Sequence, residues 1–138
     1  MASPQVELQD LIHDALESDA AVMALVDGVW DKVPANQWGG PRNAYISFGP
    51  SDVIADDAEC IVGGTHTFQV DCWSRAVGSV ACKRIVDAVK NALHEKDLEL
   101  ADNALVEISV GFRQVFRDPD GLTTHGVVAV TAMIEEYP

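Results

Sequence analysis

Between Thr65 and Ser74 apolar and polar residues alternate, with Phe68, Val70 and Cys72 interleaved among Thr67, Gln69 and Asp71. A period of two is the signature of a strand with one buried face, so Phe68, Val70 and Cys72 are expected in a core. The period then changes. From Val77 to His94, Ala81, Ile85, Ala88, Val89 and Ala92 recur at helical spacing, while Lys83, Arg84, Asp87, Lys90 and Asn91 fall largely on the other side. That spacing predicts an amphipathic helix about 27 Å long at ~1.5 Å per residue. Its apolar stripe needs a surface to cover, and the sheet containing the preceding strand supplies one.

The remaining elements follow from the same patterning and from local stop and start signals. Ser3-Pro4 sets a capping hydroxyl before a proline suited to the first helical position, and Glu7 lies in the opening turn where the helix dipole favours an acid. Val6, Leu8, Leu11, Ile12, Ala15 and Leu16 then form a stripe that runs to about Ser18. Asp19 caps a second helical piece over 20–26, and Gly28 suits its C-terminal stop. Val29 to Val33 alternates as a short strand, ended by Pro34 and a turn-rich loop, 34–43, that carries an exposed Trp38. Tyr45–Phe48 is a further strand. The acidic stretch 49–64 reads as a loop, and Lys96–Leu100 as a short edge strand before a turn at Asp102-Asn103.

The last third reads as a long β-hairpin. Val106, Ile108, Val110, Phe112 and Phe116 are expected on one face of its first strand, and Val128, Val130, Ala132 and Ile134 on one face of its second. Between them Asp118-Pro-Asp-Gly121 is a turn: proline presets the first corner and glycine accepts the left-handed one. The architecture is therefore α+β, a mostly antiparallel sheet of four to five strands with two main helices packed on one face, in a single domain spanning 1–138.

Composition narrows the function classes. A chain of 138 residues, 48% of them apolar, can bury roughly two-thirds of its unfolded surface around one core. No apolar run approaches a membrane span, and the N-terminal segment has neither the basic nor the apolar region of a secretion signal, so cytoplasmic synthesis is expected. Cys60, Cys72 and Cys82 are an odd number of cysteines and are expected as free thiols. Nine basic residues against 22 acidic ones give a net charge of −13, which argues against a surface that grips nucleic acid phosphates.

Candidate chemistry is sparse. Cys60, His66, Cys72 and Cys82 are zinc-ligand types, but their spacing lacks the paired units that deliver two ligands from one turn, and nothing orients a histidine onto a cysteine nucleophile. Asp118 and Asp120 are two apart, as acid and base partners can be, yet aspartate is also a favoured turn residue. His94 suits a helix C-terminus. Gly39-Gly40 and Gly63-Gly64 lack the lysine and the strand-to-helix setting of a phosphate loop. No catalytic residue, metal or cofactor is expected. Aromatic and arginine side chains near the Gly-Pro loop and the turns are the candidates for contact with a partner, Trp30, Trp38, Arg42, Tyr45, Arg75 and Arg117; the competing reading makes Trp30 and Tyr45 edges of the core and Trp38 a loop tip packed onto its own domain.

Several of these segments together resemble the tail completion, or tail terminator, family of long-tailed bacteriophages. They are Val70-Asp-Cys-Trp-Ser-Arg75 entering a helix that closes on Ala92-Leu-His94, then Phe116-Arg-Asp-Pro-Asp-Gly121 and His125-Gly126, with the opening helix and Gly28-Val-Trp-Asp-Lys-Val-Pro34. The resemblance spans nearly the whole chain. It implies a structural virion protein of the tail, with no enzymatic activity, six copies of which form a ring that ends the tail tube. The implied partners are other copies of the chain, the tail tube protein and a head-tail connector or stopper, with DNA passing through the lumen unbound and no membrane involved. The same family occurs in phage-like gene transfer particles. A small cytoplasmic enzyme or ligand-binding domain with an unrecognised pocket is the competing reading.

Overall fold

The computed structural model describes residues 2–137. Three helices and five strands follow in the order α1 (Pro4–Glu17), α2 (Ala20–Met23), β1 (Val29–Trp30), β2 (Ala44–Ala55), β3 (Val62–Ser74), α3 (Val80–Leu93), β4 (Ala104–Arg117) and β5 (Thr124–Glu136). The strands form one sheet in the order β1-β2-β3-β5-β4, in which every neighbouring pair is antiparallel except β1 with β2. Helices α1 and α3 cover one face. Leu8, Ile12 and Leu16 from α1 and Ile85, Val89 and Leu93 from α3 join Ile46, Phe68, Val70, Cys72, Val128 and Val130 in the core.

The local chemistry explains where elements begin. The Ser3 hydroxyl accepts from Val6 N at 3.4 Å with proline at the start of α1, and the Asp19 carboxylate accepts from Val22 N at 3.0 Å to open α2. Gly78, at φ 78, interrupts any helix from Val77, so α3 starts at Val80 and spans 14 residues, about 21 Å. Gly126 lets α3 close down on β5, because a Cβ there would stand 2.5 Å from Val86 Cγ2.

Several expectations are corrected. Val6 is exposed, since α1 packs along the i, i+4, i+8 line of Leu8, Ile12 and Leu16 and Val6 lies off it. Helix α2 ends at Met23. Gly28 is not its left-handed stop but the site where the Trp30 indole lies against bare backbone. The Val29–Val33 strand shrinks to two residues paired in parallel with β2. Asp27 diverts the chain, its N–H donating to Ala44 O and its carboxylate accepting from Arg42 N and Asn43 N at 2.9 and 3.0 Å. The loop expected over 49–64 is largely strand: past a bulge after Phe48, β2 continues from Ser51 to Ala55 against Phe68–Gly64. Backbone ladder bonds are indifferent to side-chain polarity, so an acidic arm with both faces in solvent reads as a loop and folds as a hairpin. No strand forms over Lys96–Leu100. Glu7 instead fastens that region to α1, its carboxylate accepting from Asp102 N at 2.8 Å and from Asn103 Nδ2 at 2.6 Å.

Strand β4 changes face along its length. Ile108 and Val110 are buried as expected, but Val106 is 57% and Phe112 61% exposed, and Phe116 is exposed too. Register shifts between Leu105 and Glu107 and between Val110 and Arg113 explain this, because each extra residue moves the following side chains to the opposite face. The turn itself is as expected: Gly121 has φ 73, its N–H donates to Asp118 O at 3.1 Å, and Asp118 N donates to Thr123 O at 2.8 Å.

Candidate functional site

The face of the sheet away from the helices carries one row of rings that crosses four strands in register. Tyr45 on β2 pairs with Trp73 on β3, Trp73 with His125 on β5, and His125 with Phe116 on β4. Their ring centroids are 6.2, 3.8 and 4.9 Å apart in that order. At the β2 end Trp38 and Trp30 extend the row, 5.0 and 5.5 Å from Tyr45. The Arg75 guanidinium sits 4.3 Å over the Trp38 ring, a cation–π contact that closes the row.

Polar groups beneath the rings are paired with one another. His125 Nε2 lies 2.7 Å from Asp71 Oδ1, and Gln69 Nε2 donates to the same oxygen at 2.9 Å. Trp73 Nε1 donates to Ser47 Oγ at 2.9 Å. Gly49 leaves the room this takes, since a Cβ there would stand 2.7 Å from Asp71 Oδ2. Burial raises the Tyr45 phenol above its ordinary value, with Arg75 opposing and Asp118 and Asp71 adding to the rise. The Asp71–His125 pair has the composition of an acid–base dyad, but its hydrogen bonds stay within the sheet and its neighbour Ser47 is taken by the Trp73 indole. Cys72 projects from the opposite face of β3.

Four of the six partner-contact candidates, Trp30, Trp38, Tyr45 and Arg75, thus come together. Trp38 is not exposed as expected but half-buried under Arg75 and against Tyr45. Arg75 also reaches the β4–β5 turn, where Nε donates to Thr123 Oγ1 at 3.3 Å and Nη2 lies 3.9 Å from Asp120. Arg117 is at the same turn, its Nη1 donating to Gly121 O at 3.4 Å, and Arg42 is exposed in the Trp38 loop. Asp71, Trp73, Phe116 and His125 complete the row and were missed as site residues. Their signal was the alternation itself, which places 71 and 73 on the polar face of β3 and gives no hint of what stands opposite.

The remaining candidates are dispersed. Cys60 is exposed in the connection 56–61, His66 and Cys72 are buried on the helix side of β3, and Cys82 lies on α3 with Sγ 3.7 Å from Cys72 O. Among the described residues no group of three or more His, Cys, Asp and Glu side chains is placed to hold a metal ion. Burial pushes the Cys82 thiol up to about 11 and the Cys72 thiol well above its ordinary value. Asp120 is a turn residue: Oδ1 accepts from Leu122 N and Thr123 N at 2.8 and 2.9 Å, and Oδ2 from Thr123 Oγ1 at 2.7 Å. His94 is the C-cap of α3, its N–H donating to Lys90 O at 2.8 Å, and its side chain ties the helix to the sheet, Nδ1 accepting from Val110 N at 2.9 Å. A groove of about 410 Å³ opens between α3 and β4, lined by Lys83, Val86, Asp87, Arg113, Gln114 and Val115.

Comparison with known proteins adds to this geometry. A family model described as "Tail completion protein gp17" matches residues 10–135. No curated protein matches the chain. Among solved structures, a chain of the "Virion of native gene transfer agent (GTA) particle" is 28% identical and superposes with a TM-score of 0.86, covering 98% of this chain and 99% of that one.

Proposed function

Because the chain belongs to the tail completion protein gp17 family, we propose that it is a structural protein of a virion tail that forms a ring, ends the tail tube and joins it to the head connector. The observation that carries this reading is coverage. The likeness to a chain of a gene transfer agent virion takes in 98% of this protein and 99% of its counterpart at 28% identity, so it extends over nearly the whole of both chains.

The fold supplies what a ring subunit needs. Strand β4 and the distal half of β2 are free edges of the sheet, and unpaired strand edges are ready sites for subunit contact. The aromatic row ends at Trp38 and Arg75, with Arg42 exposed in the same loop, residue types favoured where proteins meet, and these are the residues assigned to partner contact together with Trp30, Tyr45 and Arg117. The net charge of −13 suits a conduit, since a lumen that repels phosphates lets DNA pass without holding it. Crowding that charge into a ring disfavours free rings at low salt, so monomers in dilute buffer and assembly on the tail tube protein are expected.

Deleting the gene from its phage or particle tests the role. Heads and tails that fail to join, with tails of irregular length, are expected; normal infectious particles lacking the protein overturn it. A native mass spectrum of the purified protein mixed with tail tube protein gives the biochemical counterpart, in which ring-sized assemblies appear only when both are present.

A further inference from the structure

We infer that the groove between α3 and β4 of one copy receives the tip of the β2–β3 hairpin of the next copy, a head-to-tail contact that rests on the ring reading above. The groove carries two cations, Lys83 and Arg113, against one acid, Asp87, where the chain as a whole has 22 acidic and nine basic residues. Lys83 and Arg113 line its two sides, and among the described residues neither forms an ion pair, although the chain carries 22 acidic side chains. Val86 and Val115 add apolar surface to its lining. A volume of about 410 Å³ accommodates several side chains of an inserted turn.

The hairpin tip has the complementary character. Asp56, Asp57 and Glu59 are all exposed, and beside them Ile54, Ile61 and Val62 are 69%, 49% and 51% exposed. Exposed apolar side chains beside acids at a hairpin tip suit a contact surface. The tip is also ordered before it meets anything. Ala58 N donates to Ile61 O at 3.0 Å and Ile61 N returns to Ala58 O at 2.6 Å, while Asp56 N donates to Gly63 O at 2.9 Å and Gly63 N to Asp57 Oδ1 at 3.1 Å. Glu59 takes the left-handed corner of this two-residue turn at φ 40. A preformed tip loses little conformational freedom on docking.

Tip and groove cannot meet within one chain. Val128 lies beside the groove through its pairing with Arg113, and Glu136 pairs with Val62 at the root of the tip. Eight residues of β5 separate those two points, roughly 27 Å at ~3.4 Å per residue. Two different surfaces at opposite ends of one subunit make a heterologous contact, which propagates from copy to copy and closes into a ring when the rotation permits.

Cys60 sits at the corner of the tip and is exposed, which provides a built-in probe. In the full-length chain carrying Asp87→Cys, assembled with tail tube protein and mildly oxidised, disulfides are expected to link Cys60 of one copy to the groove of the next. The gel should then show a ladder that continues past dimers and disappears when Cys60→Ser is added. A Cys60–Cys60 bond stops at dimers, and Cys72 and Cys82 are buried. As a second arm, Lys83→Glu with Arg113→Glu should lower ring yield at least tenfold, and adding Asp56→Lys with Glu59→Lys to the same chain should restore it. Rings that form without the ladder, or that are indifferent to the charge exchange, overturn this contact and leave the ring intact. Absence of any assembly with the tube protein overturns both.

Discussion

His125 lies flat on Trp73, with ring centroids 3.8 Å apart and planes 11° from parallel. Because the two residues are direct cross-strand partners and the same imidazole is held 2.7 Å from Asp71, His125 cannot turn without losing either the stack or the hydrogen bond. The middle of the aromatic row is therefore the part of the outer face least free to rearrange, and its two ends are where the row meets solvent and loops.

Removing the anchor of that stack should be costly. Asp71→Ala leaves Gln69 Nε2 and His125 Nε2 without their shared acceptor in a largely buried position, and the expected loss is about 1–3 kcal/mol. Urea unfolding followed by tryptophan fluorescence measures it. An unchanged midpoint would mean that water replaces the carboxylate at no cost.

Gly126 and Gly111 should differ in their response to alanine. A Cβ at Gly126 meets Val86 Cγ2 at 2.5 Å, Cys82 Sγ at 3.1 Å and Cys72 Cβ at 3.3 Å, whereas at Gly111 it meets nothing within 4 Å. Overpacking of this kind costs about 1–3 kcal/mol, so Gly126→Ala should lower the thermal midpoint clearly and Gly111→Ala should leave it almost in place. Equal effects of the two would refute the close approach of α3 to β5.

The hairpin turn should lose support in acid. The Thr123 hydroxyl, then the Leu122 and Thr123 N–H groups, hold the Asp120 carboxyl below its ordinary value of 3.8. A carboxylate depressed by folding contributes stability that is complete above the unfolded value and disappears as pH falls through the folded one. The stability difference between the native chain and Asp120→Asn should therefore be constant near neutrality and shrink below pH 3.8. A difference that grows on acidification would contradict the assignment.

His66 should act with the opposite consequence at milder pH. Its ring is buried, with Nε2 unpartnered among the described residues, and burial lowers its affinity for a proton below the ordinary 6.5, against a smaller raising effect of Glu136. Above that pH the ring is neutral in both the folded and the unfolded chain and adds no pH dependence. Below it the unfolded chain takes up a proton that the folded chain refuses, so stability falls. His66→Leu should be relatively more stable than the native chain at pH 5 than at pH 8 in parallel urea titrations.

The covered face of α3 should not tolerate charge. Ile85 is 1% and Val89 0% exposed, so Ile85→Asp or Val89→Asp buries an unpaired carboxylate at a cost of several kcal/mol and should abolish folding by circular dichroism. A soluble variant that unfolds cooperatively would place this face in solvent.

What could be read from the chain was whatever a few neighbouring residues decide among themselves. Ser3-Pro4 opens α1, Phe68, Val70 and Cys72 are buried on one side of β3, and Gly121 takes the left-handed corner of its turn, because capping, side-chain alternation and glycine geometry act within a span of a few residues. The family resemblance was also legible, since it lies in those structural segments. The distal half of β2 was not: its side chains face water on both sides, and only the β3 backbone opposite makes it a strand. Nor was the face of Phe112 or Phe116, which the one-residue bulge between Val110 and Arg113 reverses, nor the half-burial of Trp38, which depends on Arg75 arriving from the end of β3. The aromatic row belongs to the same class. Tyr45, Trp73, His125 and Phe116 are scattered along the chain, and they align because cross-strand register, set by the folded sheet as a whole, brings the four to one line.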